Sequence, residues 1–537
     1  MPGCLCKRRA TGGIIARSTE AAGFLLATVA LVSTPALADA PAAVADPGFD
    51  LAELRVLGNS VLEPKVIETA IYPFTGPDRH MADVEAARAA LERTYHDHGF
   101  GTVFVDIPEQ SVNEGIVRLR VTEGRLRQVS VSGARYFSGR DIIAALPAAA
   151  PGAVPNLPAL QKELTALNTQ TRDRTVVPVL KAGPQPATVD LNLRVEDHLP
   201  FHGSIEFNNQ YTVDTAHLRA VAQLSYDNLF NRLDSFALQY QVAPEAPSES
   251  HVLATSYTAR VGQSGAGVTV TYINSNSNVP TIGTLGVLGS GSIYSLKWTS
   301  PLPASAQSVA LEFDYKDFKQ NVFVSAAGGL ATPVTYTNLS AIYAGAAGTT
   351  HTLSDWTTSI NVGIPNVPYN EQQFANKRYN AEPNYYYLRS DAGLTWKLPL
   401  ALSATFRLSG QYSASPLISN EQFPIGGAYS VRGYLEAEAL GDSVLRGSFQ
   451  FGAPSLALYG GRLRLDEFLF YDVARAFTVD PLAGQPGHVD LRSWGAGLRF
   501  DALSHLYGSL TWADPLVDGL HTQKGSSTVL FIVRGYW

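Results

Sequence analysis

From Pro200 to Trp537 the chain alternates apolar and polar residues with a period of two, and no other feature limits its possible folds as tightly. In Ser235 to Val242, Phe236, Leu238, Tyr240 and Val242 alternate with Ser235, Ala237, Gln239 and Gln241. Val309 to Lys316 sets Val309, Leu311, Phe313 and Tyr315 against Ala310, Glu312, Asp314 and Lys316. In Leu402 to Ser409, Leu402, Ala404, Phe406 and Leu408 face away from Ser403, Thr405, Arg407 and Ser409. Such stretches are strands with two unlike faces. Periodicity alone does not separate a soluble sandwich from a membrane barrel, because both alternate. After the first forty residues no run of eighteen apolar residues occurs. That excludes helical membrane spans but not a barrel, whose strands need only about 9–11 residues each.

Two further features choose the barrel. About sixteen strands can be placed, near 200–210, 215–227, 234–243, 250–262, 266–275, 291–301, 305–319, 334–347, 352–363, 381–397, 400–414, 441–453, 461–474, 493–501, 504–513 and 527–537. An even number brings both ends to one side. Connections after even-numbered strands are mostly short, as at 228–233, 302–304 and 348–351, whereas those after odd-numbered strands are often long, as at 276–290, 365–379, 415–440, 477–492 and 514–526. Short turns on one rim and long loops on the other are the habit of bacterial outer-membrane barrels. The second feature is the C-terminus, where Val529, Phe531, Val533, Gly535 and Trp537 share one face. In a soluble protein that edge would invite aggregation. On a barrel it would face lipid, and it resembles the signal by which the barrel-assembly machinery recognises its substrates; Val529, Phe531, Val533 and Trp537 are therefore candidate insertion-signal residues.

Residues 1–38 read as an address. Lys7, Arg8, Arg9 and Arg17 precede an apolar run from Ala21 to Val32, and Ala36-Leu37-Ala38 offers a small-x-small cleavage site. The run is too short to cross a hydrocarbon core of about 30 Å as a helix. Cys4 and Cys6 precede it, so cleavage after Ala38 leaves a cysteine-free chain without disulfides or thiolate metal sites. Removing the four basic residues and Glu20 from 40 Lys and Arg and 47 Asp and Glu leaves 36 against 46. That acidic balance argues against a nucleic-acid partner, which favours a clustered basic face.

After a short segment, 39–50, one pattern occurs twice. In 51–124 a strand (Glu53–Leu57) and the Gly58-Asn59 turn lead to a helix with Pro64 in its first turn, then to a helix Asp83–His98 with Val84, Ala87, Leu91 and Tyr95 on one face and Gly99 after it. Strands Thr102–Ile107 and Ile116–Thr122 complete a βααββ order. In 125–198 the order returns as a strand at Gln128–Val131, helices near Gly139–Leu146 and Leu157–Asn168, and strands Val176–Lys181 and Thr188–Val195. With the phrasing Val131-Ser132-Gly133-Ala134-Arg135-Tyr136-Phe137, this order resembles the polypeptide-transport-associated (POTRA) domain. Such a domain would offer a sheet edge to an extended guest chain, whose main-chain hydrogen bonds form whatever its sequence.

Between the eleventh and twelfth strands runs Phe423-Pro424-Ile425-Gly426-Gly427-Ala428-Tyr429-Ser430-Val431-Arg432-Gly433-Tyr434. With two preceding domains and a barrel at 199–537, the chain resembles the two-partner secretion transporters of the filamentous-haemagglutinin and haemolysin type. The resemblance implies a sixteen-stranded outer-membrane β-barrel behind two periplasmic α+β POTRA domains. It also implies that the loop at about 415–440 folds into the lumen, where the Arg432 of Val431-Arg432-Gly433-Tyr434 meets an aspartate of an F-x-D-x-G strand. Here that strand reads Phe470-Tyr471-Asp472-Val473-Ala474, departing at Ala474 and putting a close backbone approach there in doubt. Alternation independently places Asp472 inward with Arg464, Asp466, Phe468 and Phe470, opposite Leu463, Leu465, Leu469, Tyr471 and Val473. A planar guanidinium can fix both the position and direction of a loop on a carboxylate through two parallel hydrogen bonds.

The tetrapeptide recurs as Val533-Arg534-Gly535-Tyr536, inside the terminal strand with no loop signals around it, and there Arg534 is expected to be an ordinary lumen residue. Only about fifteen residues separate Ala38 from Glu53, too few for a helix threaded through the lumen. H-E-x-x-H, P-loop and G-x-S-x-G motifs are lacking, and His96 and His98, two apart on a helix, point in different directions, so neither an enzyme nor a metal or cofactor site is expected. The implied function is export of a secreted partner protein, in extended form, across the outer membrane. The alternatives are an assembly factor that inserts proteins or lipids into that membrane, and a passive pore or barrel enzyme, which would leave the two N-terminal domains unexplained.

Overall fold

The computed structural model describes residues 48–537, apart from positions 113, 214, 263–264, 277–278, 283–284, 288, 304, 320, 324–328 and 369. The expected address segment, its cleavage site and residues 39–47, part of the stretch expected to be too short for a threaded helix, lie outside the described residues.

The first domain contains β1 (Phe49–Leu51), β2 (Glu53–Leu57), α1 (Pro64–Ile71), β3 (Gly76–Arg79), α2 (Met81–Asp97), β4 (Val103–Asp106) and β5 (Ile116–Glu123). β5 lies between β2, to which it is parallel, and antiparallel β4. Val84, Ala87, Leu91 and Tyr95, the face read from the sequence, are fully buried against Val103, Val117, Leu119 and Val121. Each aliphatic side chain buried there stabilises the fold by roughly 1.5–3 kcal/mol. The Tyr95 hydroxyl donates to Asn59 Oδ1 at 2.7 Å, tying α2 to the turn after β2, and burial beside Glu123 raises its pKa to about 12. The ribbon of β1 with β3 was not foreseen, because Gly76-Pro77-Asp78-Arg79 has turn composition and pairs only with a distant segment. The second unit repeats the topology: β6 (Arg125–Ser132), α3 (Gly139–Ala144), α4 (Leu157–Asn168), β7 (Arg174–Ala182) and β8 (Thr188–Asp197) form a sheet ordered β6-β8-β7, with β6 parallel to β8.

Sixteen long strands then close an antiparallel barrel: Phe201–Asn208, Arg219–Leu229, Asp234–Val242, His251–Val261, Ala266–Ser275, Gly291–Pro301, Gln307–Phe318, Val334–Gly348, Thr352–Ile364, Tyr386–Lys397, Ser403–Tyr412, Ser443–Gly452, Leu463–Phe477, His488–Ala502, Leu506–Pro515 and Thr528–Tyr536. They are called the first to sixteenth strands below. The seventh strand shows why this is a membrane barrel rather than a sandwich. Leu311, Phe313 and Tyr315 face outward and are exposed, whereas Glu312, Asp314 and Lys316 face inward and are 2–6% exposed. The polarity is that of a lipid-facing wall around a polar interior, and in water such an apolar belt would be untenable.

The barrel closes between the first and sixteenth strands by only five paired positions, Asn208↔Ile532 to Ser204↔Tyr536, against fifteen between the thirteenth and fourteenth. The seam is lengthened at both ends. The Asn209 side chain donates to Val529 O and accepts from Phe531 N–H, each at 2.8 Å. Trp537 N–H donates to Gly203 O at 3.0 Å, and Gly203 N–H to Trp537 O at 3.3 Å. The indole lies on Gly203, where a Cβ would come within 2.2 Å of Trp537 Cζ2. Val529, Val533 and Trp537 are exposed on the outer surface. Replacing Gly203 by Val is therefore expected to displace Trp537 and reduce the folded, heat-modifiable barrel recovered from outer membranes by several-fold; unchanged recovery would show that the indole's seat is dispensable.

Candidate functional site

Residues 413–442, between the eleventh and twelfth strands, turn back between the barrel walls. Ile425 and Val431 are wholly buried, as are Ala439 and Tyr434 to within 3%. They pack on Val444 of the twelfth strand, Ala474 and Ala476 of the thirteenth and Leu491 of the fourteenth. A short ribbon, Phe423–Ile425 with Ala439–Gly441, forms the stem of the loop. At its tip Gly433 adopts φ +98°, disfavoured for side-chain-bearing residues, and a Cβ there would press on Ala513 Cβ at 3.3 Å.

Arg432 and Asp472 meet with both hydrogen bonds of the bidentate pair. Nε donates to Asp472 Oδ2 and Nη2 to Oδ1, each at 2.7 Å, and the Arg432 backbone N–H adds a third at 3.1 Å. Ser448, directly across the ladder from Asp472, donates to Oδ1 at 2.6 Å. Asp472 is wholly buried and the Arg432 side chain is 11% exposed. The guanidinium lies over the Phe470 ring, 3.5 Å from its centroid. The cation thus has carboxylate oxygens at its edge and an aromatic face beneath it, which compensates for its desolvation. Phe468 and Phe470 occupy the interior because Gly497 and Gly495 stand opposite them in register. A Cβ would reach within 2.2 Å of Phe468 Cζ at Gly497 and 2.6 Å of Phe470 Cζ at Gly495. The Gly495-Ala496-Gly497 alternation was a legible signal for these inward rings. Tyr434 anchors the other side of the tip, its hydroxyl 2.8 Å from Val517 O and 2.9 Å from Arg492 O. Ala474, in the place of a motif glycine, is 1% exposed, and its methyl belongs to the apolar cluster under Val431.

Arg534 faces the lumen, but it is more than an ordinary lumen residue. Its guanidinium pairs with Glu206 of the first strand, directly opposite in the ladder, so the second copy of the tetrapeptide clips the barrel's closure. Sequence reasoning missed this because Glu206 lies 328 residues away, and only closure makes them neighbours. It also missed Glu438, which accepts from the backbone N–H groups of His521 and Thr522 at 2.6 and 2.8 Å and from the Thr522 hydroxyl at 2.7 Å. An acidic residue in a loop expected inside a barrel was itself the clue, since it requires partners there.

His96 and His98 each lie within hydrogen-bond distance of a backbone carbonyl, Val103 O at 3.1 Å and Thr94 O at 2.8 Å. Among the described residues one group has donors suited to a cation, Asp173, His202 and Asp227. His202 is 3.0 Å from Asp173, and Arg172 lies 3.9 Å from each aspartate, so a guanidinium already faces both carboxylates.

Fold and site together define an outer-membrane barrel with an inward loop and N-terminal POTRA domains. The family model described as haemolysin secretion/activation protein ShlB/FhaC/HecB matches residues 188–500, and that of the ShlB-type POTRA domain matches residues 49–124. The chain is 24% identical over 438 residues to the outer membrane transporter CdiB of Dickeya dadantii strain 3937, covering 77% of this chain and 73% of that protein. Its fold is similar to that of CdiB from Escherichia coli, with a TM-score of 0.58 at 18% identity, covering 93% and 92% of the two chains. It is also similar to BamA from Haemophilus ducreyi lacking POTRA domains 1–3, with a TM-score of 0.56 at 13% identity, covering 91% and 100%. The chain belongs to the haemolysin secretion/activation family: it is a two-partner secretion transporter of the outer membrane, not an enzyme, with its N-terminal domains in the periplasm.

The seam pair generates a test of its own. Arg534→Ala and Glu206→Ala are each expected to lower the temperature at which the folded barrel loses its fast gel mobility, by roughly 2 °C or more. The double substitution should be less damaging than the sum of the singles. Midpoints equal to that of the unaltered protein would show that the ion pair contributes nothing to closure.

Proposed function

We propose that the POTRA domains take up the unfolded partner protein in the periplasm by strand addition, and that the barrel conducts it outward under control of the inward loop fixed by Arg432 and Asp472. Translocation of a partner across the outer membrane is the work of the family. The observation that carries the finer reading is the buried bidentate pair, which commits a thirty-residue connection to the lumen, where it obstructs the path a passing chain would take. For uptake, each domain sheet has three strands and therefore two outer ones; β6, the longer of the two edge strands parallel to a central strand, offers eight residues of backbone to a guest. The row Val529, Phe531, Val533 and Trp537 is read in this scheme by the barrel-assembly machinery during insertion, after which the outer belt contacts lipid. BamA-like folding is equally compatible with an insertion factor, but the match to a secretion family favours export.

Arg432→Ala and Asp472→Ala are each expected to leave the barrel inserted and heat-modifiable while reducing export at least several-fold. Removing one member of a buried pair costs about 3–5 kcal/mol, because the other charge is left uncompensated. The double substitution should lose less than the sum of the singles. The measurement is partner protein in the medium against barrel in the membrane, and full export by Arg432→Ala would remove the lock from the mechanism.

A photo-crosslinking residue at Ser130 of β6 should capture the partner in transit, whereas one at Asn192 of the central β8 should not. Equal capture at both positions would argue against strand addition.

A further inference from the structure

A second connection turns inward from the rim, and its chemistry differs from that of the Arg432 pair. The connection 365–385 between the ninth and tenth strands carries a short helix, α5 (Glu371–Lys377). It lies on the rim opposite the chain's entry into the barrel, where a long loop is free to extend into water. Instead Phe374 is wholly buried, edge-on to Tyr336 of the eighth strand at 5.4 Å and stacked on Tyr385 at 6.1 Å. Ile293, Phe318 and Val334, inward residues of the sixth, seventh and eighth strands, are no more than 1% exposed in the same cluster. Their outward neighbours show the wall's orientation, since Tyr294 beside Ile293 is 52% exposed. A water-filled conduit has no use for an apolar interior. These residues become compatible with the lumen only when α5 covers them.

The inward loop is built into the same cluster. Leu417 and Ile418 are each 1% exposed within it. Next to them Glu421, 2% exposed, accepts from Lys316 Nζ at 2.7 Å, Tyr336 Oη at 2.5 Å and Tyr387 Oη at 2.8 Å. On the other side Arg378, just after α5, donates through Nη1 and Nη2 to the two oxygens of wholly buried Asp442, at 2.5 and 2.7 Å. Arg378 also donates to Leu417 O at 2.5 Å, and Asp442 accepts from Leu417 N–H at 2.9 Å. The base of the inward loop and the α5 connection are therefore bonded to each other as well as to the wall, so moving one requires breaking the other's buried ion pair.

We propose that residues 370–385 are a resident plug of the conduit, seated by Phe374 and latched to the inward loop through Arg378–Asp442, and that the two segments leave the lumen together when the partner passes. The proposal rests on the reading of the barrel as the conduit, but its tests need no partner. With residues 371–377 replaced by glycine and serine in equal number, the purified full-length protein in planar bilayers should conduct several-fold more than the unaltered protein while remaining heat-modifiable. A heat-modifiable variant with unchanged conductance would overturn the proposal.

Should that variant not fold, a milder substitution tests the same point. In a Cys4→Ser, Cys6→Ser background, Phe374→Cys should react with a bulky impermeant maleimide many-fold more slowly on intact cells than Leu482→Cys, which lies in an exposed loop. Equal rates would show that α5 does not occupy the lumen at rest. Either negative result leaves the export reading standing, because that reading fails on a different observation, equal amounts of partner protein in the medium of cells with and without the inserted barrel.

Discussion

The constraint on which the structure depends is that backbone N–H and C=O groups inside hydrocarbon must all find partners, which for strands means closing the sheet on itself. Closure is achieved here with an economical joint. Fifteen of the sixteen interfaces are made by sequence neighbours, and the remaining one joins the first strand to the last through five paired positions. The seam is supported by side chains rather than by more ladder: Asn209 continues the hydrogen bonding, Arg534 and Glu206 pair across it, and Trp537 occupies the space that Gly203 leaves. The glycine and the terminal tryptophan make one unit, with the ring covering backbone that would otherwise face lipid.

Closure creates an interior, and its polarity explains why long loops fold into it. Inward residues such as Glu312, Asp314 and Lys316 are charged because the outward positions of the same strands belong to lipid. A loop entering that space meets partners for its own polar groups, and the acidic residues in and beside the inward loop find them: Glu421 with a lysine and two tyrosines, Glu438 with backbone N–H groups, Asp442 with Arg378. Arg432 reverses the arrangement, bringing the cation on the loop to the anion on the wall. A buried charge is tolerated only with partners in good geometry, so these pairs give the loop a defined seat rather than mere adhesion. Both phenylalanines beneath Arg432 depend in turn on the two glycines of the neighbouring strand.

Much of this was legible from residues alone. Alternation gave sixteen strands within a few residues of their observed ends, because lipid on one face and charge on the other impose a strict period of two. It also placed Asp472 inward, and Asp472 is wholly buried with Arg432 beside it. The helical face of Val84, Ala87, Leu91 and Tyr95 was equally readable, since an amphipathic helix writes its buried face at regular spacing. What escaped was non-local. Arg534 read as an ordinary lumen residue because Glu206 is at the far end of the barrel chain; the β1–β3 ribbon joins segments of turn-like composition; and α5 is a seven-residue helix whose burial no local pattern announces.

The sequence by itself determined the local and periodic part of this protein: which stretches are strands, which face of each meets lipid, which helices serve the periplasmic domains, and that Asp472 faces inward. These follow from propensity and pattern, which act over a few residues at a time. Beyond the inward loop and the Arg432–Asp472 pair, which the family resemblance implied, only the tertiary structure decided how the sheet closes, that the α5 connection also turns inward, and which other buried charges meet. Those outcomes depend on distances between residues tens to hundreds of positions apart, and on the cost of leaving any charge or backbone group unpaired once the barrel has closed around it.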